Sequence, residues 1–308
     1  MNNRVKLLLL WMLSAPPTVI AGWVIGKMLA LIIQGLIIIT LSVFVVLLVL
    51  ALYFYFFSAK ILLRWYHAKD VRDKNLPLLY EIVHRLATKA DIPAPRIFIV
   101  DSGMPNAFAV GRDAEHASIV VTNALIELLD EGEIEAVLAH ELTHVKNGDT
   151  LIGTEVAVLS GILTALATFA FWGSIFTGFG QEDDQAPNII KFFVASLVAP
   201  IAAVIIQLAL SPSREYVADE QSVHMYGNTP KLISALEKLE KRLKSDTFKV
   251  NPSHVHMFIM SPLHVHEDVF TLLDIHLPTY NLLFNTHPAT HERVERLKKI
   301  NIIDIGGS

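Results

Sequence analysis

The chain of 308 residues contains no cysteine. That excludes a disulfide framework and any thiolate metal site, so a bound metal must rely on His, Asp or Glu. Charge is also scarce: 18% of residues are Asp, Glu, Lys or Arg, against 53% hydrophobic, with a mean hydropathy of +0.47 and a net charge of −5. An ordinary soluble chain carries roughly a quarter of its residues as charges, so this one is too apolar for that class. No basic stripe interleaved with aromatic residues is present, and nucleic acid is not expected among the partners.

The apolar residues lie in blocks. Residues 7–26 and 28–59 carry no charged side chain. About twenty apolar residues cross a bilayer as a helix, so this region predicts two membrane-spanning helices with a turn near Lys27. Pro16-Pro17 would kink the first. A cleaved signal peptide fits poorly, because the apolar part is too long and a second apolar stretch follows directly. Residues 156–181 and 192–213 form two further uncharged runs, separated by Glu182-Asp183-Asp184-Gln185. Each is long enough to span; the other reading is a buried helical hairpin inside a soluble fold. Phe169, Phe171, Trp172 and Phe176 suit an interfacial position.

Arg4 and Lys6 precede the first run, and Lys60, Arg64, Lys69, Arg72 and Lys74 follow the second. Cations gather on the cytoplasmic side, which predicts a multi-pass cell-membrane protein with both termini cytoplasmic. The organisation expected is two membrane helices at 1–59, a first cytoplasmic part at 60–150, two further membrane helices or a buried hairpin at 151–212, and a second cytoplasmic part at 213–308. Segments 60–150 and 213–308 then share one compartment.

Within the first cytoplasmic part, Leu78, Leu79, Ile82, Val83 and Leu86 recur at helical spacing. Strands are expected at Arg96–Val100, Asn106–Val110 and Ser118–Val121, a short helix at Asn123–Leu129, and a longer one at Ile134–Asn147 capped by Asp130 or Glu131. The second part reads as helices at Arg214–His224, Lys231–Lys244 and His291–Lys299.

The longer helix carries His140-Glu141-Leu142-Thr143-His144. One turn apart on one face, the two imidazoles reach one Zn²⁺, with Glu141 placed to act on a metal-bound water. Hydrolytic zinc takes three protein ligands and keeps a position for water. Without cysteine the third ligand should be a carboxylate or histidine from another segment, and Glu215 in Arg214-Glu215-Tyr216-Val217-Ala218-Asp219 is the leading candidate. Asp219, one turn on, is placed to accept the free ring N–H of a ligating histidine. The bland reading of both is a solvated helix start.

His140 to His144, two apolar runs and then Ser213 to Asp219 together resemble the HtpX-type membrane zinc metalloproteases, relatives of the CAAX prenyl protease. Pro105-Asn106-Ala107-Phe108-Ala109 resembles the family's segment before the catalytic helix. Gln34-Gly35-Leu36 resembles the start of its second membrane helix, and Thr286-His287-Pro288 with Glu292-Arg293 its C-terminal signature. The likeness covers nearly the whole chain. It is strongest at 96–150 and 213–219 and weakest at 245–277.

The resemblance implies an α+β, zincin-like (gluzincin) catalytic domain, a small antiparallel sheet plus helices, inside a multi-pass α-helical membrane protein. It implies one Zn²⁺ on His140, His144 and Glu215, with Glu141 as catalytic base. His287 or Arg293 would supply a second electrophile for the oxyanion, or serve as an ordinary cap or surface ion pair. Asn106, Ala107, Phe108 and Ala109 would form an exposed edge strand that pairs with an extended substrate backbone, unless Asn106 is only a turn residue. The implied partners are polypeptides, chiefly misfolded or surplus membrane proteins, and the lipid bilayer. Two other readings stay open: a prenyl-peptide protease, and a non-catalytic zinc-binding transporter or scaffold. His254, His256, His264 and His266 read as a second metal cluster or as loop histidines.

Overall fold

The computed structural model describes residues 3–71, 76–176, 212–245, 259 and 288–306, of which 3–18, 163–176 and 301–306 by backbone only. His287, the His254 to His266 cluster and residues 192–211 of the fourth apolar run lie outside the described residues. The chain divides into two units, Met1–Tyr53 and Phe54–Ser308.

Helix α1, Asn3–Trp65, is continuous. The turn expected near Lys27 is absent, because a single lysine between apolar runs does not break a helix and Gly26 beside it costs only about 1 kcal/mol. The helix runs unbroken through residues 3–59, where a turn between two spans was expected. Its stretch Val19–Trp65 is long and apolar enough to cross a membrane.

The second unit is built on a four-stranded sheet: β1 (Lys69–Val71), β2 (Arg96–Val100), β3 (Ala107–Val110) and β4 (Ser118–Thr122) in the order β1-β2-β4-β3. The sheet is mixed, which corrects the antiparallel expectation. β2 and β4 run parallel, with Ile97 opposite Ile119, while β1 on β2 and β3 on β4 are antiparallel. The chain leaves β2, passes to the far edge, and returns as β4 between the two. Every residue of β4 is buried, as suits a strand flanked on both sides and covered on both faces.

Alternation along the strands assigns the two faces. Ile97, Ala107, Ile119 and Val121 pack with Leu79, Ile82 and Leu86 of α2 (Pro77–Ala90) and with Val137, Leu138 and Leu142 of α4 (Glu131–Asn147). Phe98, Val100, Phe108, Val110 and Val120 pack on the other side with Leu62 and with Ala157 and Val158 of α5 (Asp149–Phe176). The third apolar run thus begins inside the domain core, past the boundary expected at residue 150: Thr154, Ala157, Val158 and Ser160 are all buried. A short α3 (Asn123–Leu128) links β4 to α4. Helices α6 (Pro212–Tyr226), α7 (Thr229–Ser245) and α8 (Thr290–Gly306) complete the unit.

Gly111 ends β3 at φ +152, and a Cβ there would lie 2.7 Å from the Ala117 Cα and the His116 carbonyl oxygen. Only glycine fits so close a backbone approach.

The start of α4 is fixed by a reciprocal cap: the Asp130 side chain accepts from the Glu133 N–H and the Glu133 side chain from the Asp130 N–H. Glu133 is buried, and its carboxylate also accepts from Ser234 Oγ at 2.6 Å and Lys238 Nζ at 2.7 Å on α7. Burial works to raise its pKa, but the bonds from Lys238, Ser234 and the Asp130 N–H outweigh it and hold the carboxyl below its ordinary value. A depressed carboxylate contributes stability that is complete above the unfolded pKa, near ~4.3, and is lost as pH falls through the lower folded value. Lys238→Met should therefore lower Tm at pH 7 and flatten the decline of Tm between about pH 5 and 3. Melting curves of both proteins across that range check it; identical pH dependence would count against the pair.

Candidate metal centre

Helix α4 ends at Gly148, in the left-handed region at φ +76, where its N–H reaches back to the His144 and Val145 carbonyls. Between cap and end, residues 133–143 are almost wholly enclosed by the sheet and by α2, α6 and α7. Helical spacing then sets His140 and His144 on one face, their ring centroids 4.8 Å apart and their Nε2 atoms 3.3 Å apart.

Across from them, α6 turns Glu215, Ala218, Asp219, Ser222 and Val223 inward, an i, i+3, i+4, i+7, i+8 face that happens to carry two carboxylates. Glu215 and Asp219 are 5% and 3% exposed, which rules out the solvated helix start. Glu215 Oε2 lies 3.6 Å from His140 Nε2, and its Oε1 lies 3.5 Å from His144 Nε2.

These donors fit a tetrahedral cation. With metal bonds of about 2.0–2.1 Å, the edges of a tetrahedron are about 3.3–3.4 Å, which the two Nε2 atoms match at 3.3 Å, while Glu215 presents a different oxygen to each imidazole. The tautomers agree. His140 Nδ1 faces Asp219 Oδ1 at 3.0 Å, and His144 Nδ1 faces Asp149 Oδ2 at 3.0 Å. A carboxylate oxygen 3.0 Å from each Nδ1 favours a proton there and leaves two Nε2 lone pairs and a carboxylate facing one point, an arrangement that a cation stabilises. With a proton as the only cation, burial lowers the pKa of His140, but its bonds with Asp219 and Glu215 prevail and push it up to about 9. A metal ion competes with that proton.

Each outer carboxylate is itself gripped by arginine. Arg293, 1% exposed, donates from Nε and Nη2 to the two Asp219 oxygens at 2.8 and 2.6 Å and from Nη1 to the Ile259 carbonyl at 2.8 Å. Its Nη1 is 3.7 Å from Glu215 Oε2. Arg214 Nη1 donates to Asp149 Oδ1 at 2.9 Å. Burial tends to raise the Asp219 carboxyl, but Arg293 and His140 hold it below its ordinary value.

Glu141 is 5% exposed beside the donors. Burial raises its pKa against the nearby imidazoles and a bond from the Ala109 backbone N–H. That bond shows how β3 is turned. The Thr122 N–H donates to the Asn106 carbonyl, so residues 106, 108 and 110 face β4 while Ala107 and Ala109 direct their backbone groups away from it, to the side where Glu141 lies.

The strand is at the sheet edge but is not exposed as expected. Asn106, Ala107 and Phe108 are buried and only Ala109 is partly open. Asn106 Oδ1 accepts from the Ile259 N–H at 3.1 Å, and Phe108 stacks against Tyr66 with centroids 5.1 Å apart. Asn106 and Arg293 thus hold the two backbone groups of Ile259 from opposite sides. Neither Ile259 nor Asp149 was singled out from the sequence. Asp149 has a local signal, an acid directly after the glycine that ends the motif helix.

Residues 74–301 match the model of Peptidase family M48. The chain is 44% identical over 247 residues to a protein named Protease HtpX homolog from Pyrococcus furiosus, covering 80% of this chain and 81% of that one. It is 39% identical over 304 residues to the Protease HtpX homolog of Pelotomaculum thermopropionicum, covering 98% and 100%. The crystal structure of S. mikatae Ste24p is similar at TM-score 0.47 and 19% identity, over 83% of this chain and 57% of that one.

Proposed function

Since the chain belongs to peptidase family M48 and is a metalloprotease, we propose that it is an integral membrane zinc endopeptidase that cleaves misfolded or surplus membrane proteins. The observation that carries this reading is the convergence of His140, His144 and Glu215, donor atoms within 4.8 Å of one another, beside Glu141 and the outer edge of β3. Family membership displaces the non-catalytic carrier or scaffold.

A zinc ion on these three side chains supplies Lewis acidity toward a peptide carbonyl and toward water at neutral pH. The other roles belong to the protein. Glu141 takes the proton of the attacking water and hands it to the leaving amine, so that the C–N bond breaks with a neutral nitrogen. Ala109, the partly open residue of the edge strand, offers its main-chain carbonyl to an extended substrate, a mode that confers affinity with little sequence preference and so suits damaged proteins of varied sequence. Asp219 orients His140, and Arg293 holds Asp219, which makes Arg293 a positioning residue; its three donor nitrogens are engaged inside the protein.

The apolar part of α1 anchors the enzyme in the membrane, and the cations Lys60, Arg64 and Lys69 at its exit favour a cytoplasmic catalytic domain. The test uses the full chain in lipid vesicles with a membrane protein substrate in native and destabilised forms. Faster cleavage of the destabilised form, abolished by a chelator and restored by Zn²⁺, is expected. Cleavage that survives complete metal removal would end the proposal. In the same preparation Glu215→Ala should fall from about one zinc per chain to a small fraction, because two imidazoles hold the ion far less tightly than three ligands.

A further inference from the structure

His144 has an outer partner that no sequence motif announced. Gly148, in the left-handed region, ends α4 and lets α5 begin at the next residue, which folds Asp149 back beside the imidazole five positions earlier. Both carboxylate oxygens are used: Oδ2 lies 3.0 Å from His144 Nδ1 and Oδ1 accepts from Arg214 Nη1 at 2.9 Å. Arg214 directly precedes the ligand Glu215.

The geometry points to Asp149 as a positioning residue for the metal, paired with Arg214. It fixes the His144 tautomer and ring plane so that Nε2 faces the centre, and through Arg214 it registers the first turn of α6, which carries the third ligand, against the end of α4. The site then has two matched arms, His140 to Asp219 to Arg293 and His144 to Asp149 to Arg214. They differ in burial. Asp219 and Arg293 are sealed, whereas the side chains of Asp149 and Arg214 are 17% and 40% exposed, so the second arm is the one solvent and salt can loosen.

An acid in the first turn of α5 is also favoured by the helix dipole, and that explanation makes a different prediction. A dipole effect changes the stability of α5 and leaves the metal alone. An orienting carboxylate changes metal affinity by about 10–100-fold when removed.

The inference rests on the zinc reading of the site, and the test separates the two. Zn²⁺ affinity of the full chain in detergent is measured by competition with a chelator for wild type, Asp149→Ala, Asp149→Asn and Arg214→Gln, alongside the visible spectrum of the Co²⁺-substituted proteins and the Tm of chelator-stripped protein. Asp149→Ala is expected to bind zinc about 10–100-fold more weakly with an altered Co²⁺ spectrum, and Asp149→Asn, which retains an acceptor oxygen, by a smaller factor. Arg214→Gln should weaken binding less than Asp149→Ala, and adding it to Asp149→Ala should cost little more, since the two act in one arm. Wild type without measurable zinc affinity overturns the zinc reading and this inference with it. Wild type that binds zinc, with Asp149→Ala within about twofold of it and an unchanged Co²⁺ spectrum, overturns this inference alone. Should Asp149→Ala fail to fold, affinity of Asp149→Asn equal to wild type overturns it just as well.

Discussion

Glu141→Gln is expected to lower peptide-bond cleavage by about 10²–10⁴-fold while zinc content and fold stay as in wild type. Glutamine has the shape of the carboxylate it replaces and keeps an oxygen for the Ala109 N–H, so the packing on α4 survives. What it lacks is a site that accepts a proton. Glu141 is not among the three converging donors, which is why metal retention and activity should separate. Burial raises its pKa from the ordinary carboxylate range, and a base nearer the working pH is a better proton acceptor; a cation on the neighbouring donors pulls in the opposite direction. The measurement is initial cleavage rate beside metal analysis on the same samples. A Gln variant within tenfold of wild type would remove Glu141 from the chemistry, and one that had lost its zinc would leave the rate uninterpreted until metal was restored.

The parts of the site that could be read from the sequence are those set by local geometry. His140, Glu141 and His144 follow from 3.6 residues per turn, and Glu215 from the search for a third ligand, carboxylate or histidine, in a chain without cysteine. Strand positions followed from alternation, but alternation names a strand and its faces, never its neighbours, so the parallel pairing of β2 with β4 was out of reach. Strand β1, Lys69-Asp70-Val71, is too short and polar to register as one. Asp149 was hidden because Gly148-Asp149 already reads as the end of one helix and the start of the next. Arg293 stood out through the C-terminal signature, but its role was hidden for another reason. Its partner Asp219 is 74 positions away, and the pairing exists only once α6 and α8 are packed. The same packing shows that the edge strand is covered, since the cover includes Ile259 in a region without a regular pattern.

Arg293→Ala should be the most destabilising single change at this centre, by about 3–5 kcal/mol, because it leaves the Asp219 carboxylate buried without its cation. The guanidinium makes a two-pronged bond to Asp219 and a third to the Ile259 carbonyl, so Arg293→Lys, which keeps the charge but not the fork, should fall between wild type and Ala. For a domain of this size each kcal/mol shifts Tm by about 2–4 °C, so a fall of about 6–20 °C is expected for Ala. Stability and metal binding can then be parted. Replacing both partners with apolar residues, as in Asp219→Leu with Arg293→Met, removes the uncompensated charge together with its cause, and buried pairs replaced this way often regain their stability. His140 gains nothing from that repair, because no carboxylate remains at its Nδ1. The double variant should therefore melt well above Arg293→Ala in chelator while binding zinc about 10–100-fold more weakly than wild type. If Arg293→Ala melts within about 3 °C of wild type, the pair contributes little to the fold; if the double variant binds zinc as wild type does, Asp219 does not orient His140.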